Sequence, residues 1–147
     1  GPCMRLSGEV ASGLGRAHVF MSQNHYQSQF KNILGMSAWP GTLNVEMKGE
    51  SIGQYSMLRV IAGLDEGESN EDIEARRIAG FERDGKSFGG ATAFSGRVSA
   101  NGEDWIDCAV LIPDLTRHSS TAEVISGSFL RECLPCDDGH VVQIELS

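Results

Sequence analysis

"GRVSANGEDWIDCAVLIP", residues 96–113, decides how the rest of the chain is read. Asn101-Gly102 is a strong two-residue hairpin signal, because both residues tolerate the positive φ that a tight type I′ turn demands. The flanking "GRVSA" and "WIDCAVLIP" then become two antiparallel strands, and Pro113, which has no N–H for a ladder, closes the second. A local pair of this kind sets the expectation of a mainly β fold.

Downstream, "AEVI" (122–125) reads as a strand, Gly127 breaks it, and a short helix follows over "FLRECL", with the Ser128 hydroxyl expected to cap its free amides. Asp138-Gly139 turns the chain into "HVVQIEL", an alternating strand. Upstream, "KSFGGATAFSGRVS" (86–99), "YSMLRVIAG" (55–63) and "TLNVEM" (42–47) carry strand-like stretches. Arg5 to Val10 alternates loosely into Ser12-Gly13-Leu14-Gly15, and "HVFMS" (18–22) looks like the returning strand. Tyr26, Phe30, Ile33 and Leu34 fall at the i, i+4, i+7, i+8 spacing of a one-faced helix, which Gly35 is placed to end. Many short strands, two short helices and glycine turns predict a small closed β-barrel with helical insertions rather than a βαβ sheet.

At 147 residues the chain suits one domain. No apolar run approaches the roughly eighteen residues of a membrane span, and no basic-then-apolar leader opens the sequence, so a cytoplasmic protein is expected. Gly1-Pro2 reads as added residues, which leaves a single domain over residues 3–147. The net charge of −8 opposes non-specific binding to nucleic acid. Much of that charge lies in Asp65, Glu66, Glu68, Glu71, Asp72 and Glu74, a stretch between Gly63 and Arg76-Arg77 that reads as a solvated excursion. Cys3, Cys108, Cys133 and Cys136 are expected as free thiols; the C-x-x-C at 133–136 lacks a second ligand pair and reads as helix-end packing.

Three clusters carry possible chemistry. "SGLGRAHVF" is a glycine turn whose amides suit phosphate oxygens, although a tight barrel turn needs the same glycines. In "WPGTLN" (39–44), Thr42 and Asn44 are two apart in an extended segment, so a hydroxyl and an amide oxygen point the same way. Such hard oxygens suit magnesium, and they equally suit completion of a turn. "LTRHSSTAE" gathers Thr116, Arg117, His118, Ser119, Ser120 and Glu123, and Glu123 is flanked by apolar Ala122, Val124 and Ile125. Of the histidines only His118 lies in such a cluster; His18, His25 and His140 read as surface or pairing residues.

Taken together, "GEVASGLGRAHVFMS", "YQSQFKNILG" leading to "WPGTLNVEM", and "TRHSSTAEVISGSFLRECLPCDDGHVVQIEL" resemble, in order and spacing, the archaeal CTP-dependent riboflavin kinases. The resemblance implies a six-stranded cradle-loop (RIFT-type) barrel that makes FMN and CDP from riboflavin and CTP, with Mg2+ as cofactor. It places Gly13, Leu14, Gly15, Arg16, Ala17 and His18 in a nucleotide-binding turn, and Ser126, Gly127, Ser128, Phe129, Leu130 and Arg131 in a second nucleotide-binding segment. Thr42 and Asn44 become magnesium ligands, Thr116 and Glu123 flavin contacts, and Glu123 the candidate to orient or deprotonate the ribityl hydroxyl. No membrane, nucleic acid or obligate protein partner is implied. The chain departs from the family at Arg16-Ala17, where G-L-G-E-G is usual, and in Ile125-Ser126-Gly127-Ser128, where Ile-Ala-Pro is usual. The other reading of the same barrel is a flavin- or nucleotide-binding module without turnover.

Overall fold

The computed structural model describes residues 4–12, 17–68, 72–134 and 137–147, with nothing said of the side chains of residues 17 and 18. The elements are β1 (Met4–Ala11), α1 (Ala17–Met21), α2 (Asn24–Leu34), β2 (Leu43–Met47), α3 (Glu50–Ile61), β3 (Arg76–Ile78), β4 (Phe81–Arg83), β5 (Lys86–Phe88), β6 (Ala91–Ser99), β7 (Ile106–Pro113), β8 (Thr121–Ile125), α4 (Leu130–Cys133) and β9 (Val141–Leu146).

Six strands close on themselves in the order β6-β7-β8-β2-β1-β9, because β9 pairs with β1 on one side and returns to β6 on the other. Every pairing is antiparallel. The mainly β, closed six-stranded barrel with short helices is thus the architecture. Closure demands that strands bend between two neighbours. At Gly8 β1 faces both Met47 and Val142, and at Gly96 β6 faces both Cys108 and Leu146. A Cβ on either glycine would overlap a neighbouring carbonyl oxygen, of Glu46 or of Glu145, so only glycine lets these backbones approach.

The continuous apolar run of β7 has a simple cause. Cys108, Val110 and Ile112 enter one core cluster with Leu6, Val45, Phe94, Val124 and Ile144. Ala109 and Leu111, on the opposite face, join Tyr26 and Phe30 of α2 in a second cluster. Both faces of the strand are covered, so it does not alternate with polar residues. Small Ala91, Ala93 and Ala109 make room for α2, and burying Phe30 there stabilises by about 2 kcal/mol. Gly35 ends α2 as expected, at φ 77° with its N–H donating to the Lys31 carbonyl.

Several sequence readings are corrected. "HVFMS" is not a returning strand: residues 17–21 form α1, with Val19 and Phe20 left exposed. "YSMLRVIAG" is likewise not a strand, since residues 55–61 belong to α3, which buries Ser51, Tyr55 and Leu58 along one side. The hairpin at Asn101-Gly102 exists, but its loop is wider than two residues, with β6 ending at Ser99 and β7 starting at Ile106. Asn101 Oδ1 accepts from the amides of Glu103 and Asp104, and Ser99 Oγ accepts from that of Gly102. Ser128 makes no cap for α4, whose N-cap position is Phe129. The acidic excursion is solvated only in part: Asp65 to Glu68 are exposed, but Ile73 is buried in the core and Arg76 to Ile78 form β3 on the edge of β6.

Candidate functional site

The alternation of β2 sets the site. Leu43, Val45 and Met47 point into the core, which leaves Thr42 and Asn44 half-buried on the other side. Thr42 Oγ1 donates to Asn44 Oδ1 at 3.1 Å. Asn44 stands directly opposite Ala11 on β1 and Glu123 on β8. Residues paired this way leave the sheet on the same face with Cβ atoms about 5 Å apart. The ladder therefore unites two sequence-predicted clusters, Thr42-Asn44 and Glu123, that lie far apart along the chain.

Glu123 is half-buried, and burial raises its pKa, with His118 pulling the other way. Tyr55 of α3 is buried in the same neighbourhood; burial first, and the Glu123 carboxylate second, push its phenol up to about 12. Thr116 is half-buried, and its Oγ1 accepts the His118 amide at 3.2 Å. The His118 carbonyl accepts from Arg59 of α3 at 2.6 Å.

The segment 126–131 borders the same strands. Thr42, Gly41, Trp39, Ser128, Phe129 and Arg131 line one small cleft. Ser126 is buried and its hydroxyl serves the backbone, donating to the Asp107 carbonyl at 2.9 Å and accepting from the Ser128 amide. Gly127 lies against Met36, where a Cβ would overlap the thioether. Leu130 is buried, while Arg131 donates to Asp138 at 2.7 Å and to the Ala11 carbonyl at 3.3 Å. Asp138 also accepts from Ser12, and its carboxyl is held below the usual range by Ser12 and Arg131.

The first predicted nucleotide turn lies outside the described residues at Gly13, Leu14, Gly15 and Arg16, as do the side chains of Ala17 and His18. Ala11 and Ser12, which lead into it, are the residues tied to Arg131 and Asp138. His25 and His140 are the pairing residues expected, each ring set against a backbone carbonyl, of Ala79 and Ala100. Cys108 and Cys133 are free; burial pushes the Cys108 thiol up, so it stays protonated. Cys3 and Cys136 lie outside the described residues.

Trp39, Tyr55 and Arg59 were missed by sequence reasoning. Trp39 stacks on Phe129 at 5.1 Å, both rings partly exposed beside the cleft, and its place in "WPGTLN" was a usable signal. Tyr55 and Arg59 had none, because their segment reads as a strand.

The donor set fits magnesium better than a soft metal. Among the described residues no three His, Cys, Asp or Glu side chains gather as a metal centre. Oxygen ligands about 2.1 Å from magnesium on adjacent octahedral vertices are about 3 Å apart. Thr42 Oγ1 and Asn44 Oδ1, at 3.1 Å, already have that separation.

Known proteins resemble the chain over nearly its whole length. The chain is 32% identical over 143 residues to a riboflavin kinase of Methanoculleus marisnigri, covering 97% of this chain and 57% of that one. It is 31% identical over 140 residues to a riboflavin kinase of Methanocorpusculum labreanum, covering 95% and 55%. A riboflavin kinase of Pyrobaculum islandicum is 31% identical over 144 residues, covering 97% and 60%. The chain thus spans little more than half the length of the curated relatives it matches. A family model labelled CTP-dependent riboflavin kinase, and described as a domain of unknown function, DUF120, matches residues 10–146, so the chain belongs to that family.

Proposed function

We propose that residues 3–147 form a single catalytic domain that phosphorylates riboflavin, moving the terminal phosphate of a nucleoside triphosphate, CTP by preference, to the ribityl 5′-hydroxyl. One observation carries the reading: the β2–β8 register sets Asn44 opposite Glu123, with Thr42 beside Asn44 and on the cleft shared with residues 128–131. The reaction forms a bond from the ribityl oxygen to the γ-phosphorus, breaks that phosphorus from its bridging oxygen, and releases a nucleoside diphosphate and a proton. Little covalent work falls to the protein, so alignment and charge stabilisation dominate.

Thr42 and Asn44 are the residues that would hold magnesium, which when bound neutralises charge on the phosphates. Ser128 and Arg131 offer a hydroxyl and a guanidinium toward the donor, the latter oriented by Asp138. Thr116 and Glu123 take the acceptor. A carboxyl whose pKa is raised by burial suits Glu123 to receive the hydroxyl proton, and its position equally suits orienting the flavin. Base choice falls to groups near Gly15 to His18 and Ser126 to Phe129, where this chain departs from its family's pattern.

The test is incubation with riboflavin, magnesium and each of CTP, UTP, ATP and GTP, with FMN as the readout. FMN is expected in every run that supports turnover only with magnesium present, with the highest kcat/KM for CTP. ATP equal to or better than CTP removes the CTP assignment alone. Riboflavin binding without FMN from any donor replaces the kinase by a flavin-binding module.

A further inference from the structure

The loop from Asp114 to Ser120 carries Thr116 and leads into β8 and Glu123, yet it has few ties of its own. Its start is anchored by Asp114, whose amide donates to the Gly90 carbonyl and whose carboxylate pairs with Arg77. Its end is anchored where the Ser120 carbonyl accepts the Met47 amide at 2.8 Å. Between them, Leu115 is 86% exposed, and the Thr116 and His118 amides bond only to Pro113 and Thr116. Among the described residues, one hydrogen bond ties the middle of this loop to another element, from Arg59 Nη1 to the His118 carbonyl at 2.6 Å.

Arg59 is placed to do this rigidly. It sits in the last turn of α3, one turn after the buried Tyr55, and its side chain retains only 16% exposure. Asp65, the first acid of the excursion, accepts from Arg59 Nε at 2.8 Å and faces Nη2 at 3.4 Å. The carboxylate thus occupies one edge of the planar fork and leaves Nη1 for the loop, a division that lysine's single ammonium cannot reproduce.

We propose that Arg59 is a positioning residue for the acceptor side of the site, and that Asp65 orients it. The strut runs from Asp65 through Arg59 to the His118 carbonyl and fixes Thr116 and the approach to Glu123. It gives part of the acidic excursion a task that its charge alone does not suggest. The inference rests on the riboflavin reading, since that names what the loop holds. A loop that must be ordered before it binds lowers affinity for the ligand it contacts and spares the other substrate.

The experiment compares Arg59→Ala, Arg59→Lys and Asp65→Asn with the unaltered chain. Riboflavin Kd is read from quenching of flavin fluorescence, both substrates' KM values and kcat from FMN formation, and exchange of the residue 115–120 amides by mass spectrometry. Arg59→Ala is expected to raise riboflavin Kd and KM about tenfold, the scale of one lost charge-assisted hydrogen bond. Donor KM and kcat stay within about threefold on the same scale. Exchange in the loop quickens, Arg59→Lys recovers part of the affinity, and Asp65→Asn falls between Arg59→Ala and the unaltered chain. Unchanged riboflavin affinity with unchanged loop exchange overturns the proposal, and so does an equal loss for both substrates. If the unaltered chain makes no FMN, the kinase reading fails by itself, and the riboflavin Kd and the exchange data still decide the strut.

Discussion

Glu145 on β9 and Glu123 on β8 are both drawn away from bulk water, but the chain surrounds them differently. Arg97 donates to one oxygen of Glu145 at 2.6 and 2.8 Å, and Arg5 pairs with the other, so the carboxyl is held below its usual range. Trp105 lies over the Arg97 guanidinium at 4.3 Å and helps to fix it. Glu123 has no arginine or lysine partner among the described residues, and burial raises its pKa. A carboxylate whose cations come from the chain serves the barrel. One that lacks such a partner beside Thr42 and Asn44 costs stability, which is the pattern expected where a ligand completes the charge.

The largest expected effect tests whether the Glu123 side of this contrast is built for a ligand. Thr42→Val and Asn44→Leu each remove an oxygen donor at nearly constant volume. Either change should lower FMN formation by about a hundredfold or more, the scale of losing one group that stabilises transition-state charge. Riboflavin affinity, read by fluorescence, should stay within a few-fold. Full turnover in a folded variant would take the pair out of the metal site.

A second, smaller effect concerns Glu145. Its folded pKa lies below the unfolded value, so its contribution is present at neutral pH and is lost as pH falls through the ordinary glutamate range toward the folded pKa. Glu145→Gln should therefore lower Tm by several degrees at pH 7, and the gap should close on acidification. Turnover by the folded variant should persist. A gap that widens in acid would mean that the two arginines do not stabilise the charged form.

The smallest effect has the opposite sign. Glu123 has a raised folded pKa, so its ionisation weakens folding as pH rises above the ordinary glutamate range. Glu123→Gln should raise Tm slightly at pH 7 to 8, with no gain below the usual glutamate pKa, while reducing FMN formation. Thermal melts across pH, run beside the Glu145 variant, would show whether the two carboxylates respond in opposite directions. A Glu123→Gln melt that drops at neutral pH would erase the contrast.

Much of the barrel was legible because its signals are local or periodic. Tyr26, Phe30, Ile33 and Leu34 mark α2, and the apolar run ending at Pro113 marks a strand covered on both faces. The α3 segment was misread because Val60 and Ile61 favour strands, whereas tertiary burial of Tyr55 and Leu58 decides the helix. Thr42, Asn44 and Glu123 could be named from spacing and family resemblance, but that Asn44 faces Glu123 is a property of ladder register. Ser126 shows the converse: the family resemblance placed it in a nucleotide-binding segment, while its hydroxyl is occupied by the Asp107 carbonyl and the Ser128 amide. Arg59 had no signal, since its partner His118 lies 59 residues away.

β9 pairs with β1 through Met4↔Leu146 to Glu9↔Val141 and with β6 through Gly96↔Leu146 to Ser99↔Gln143. On a ribosome, β1 emerges long before the strand that will complete its ladder. Until residues 141–146 leave the exit tunnel, β1 and β6 each keep a row of unpaired amides and carbonyls that other chains can find. Contacts of such wide sequence separation are made late and slowly, because loop closure must precede any gain from them. A ribosome stalled before residue 141 would thus hold all the other barrel strands with the barrel still open, and protection of β1 amides from exchange should arrive only with β9.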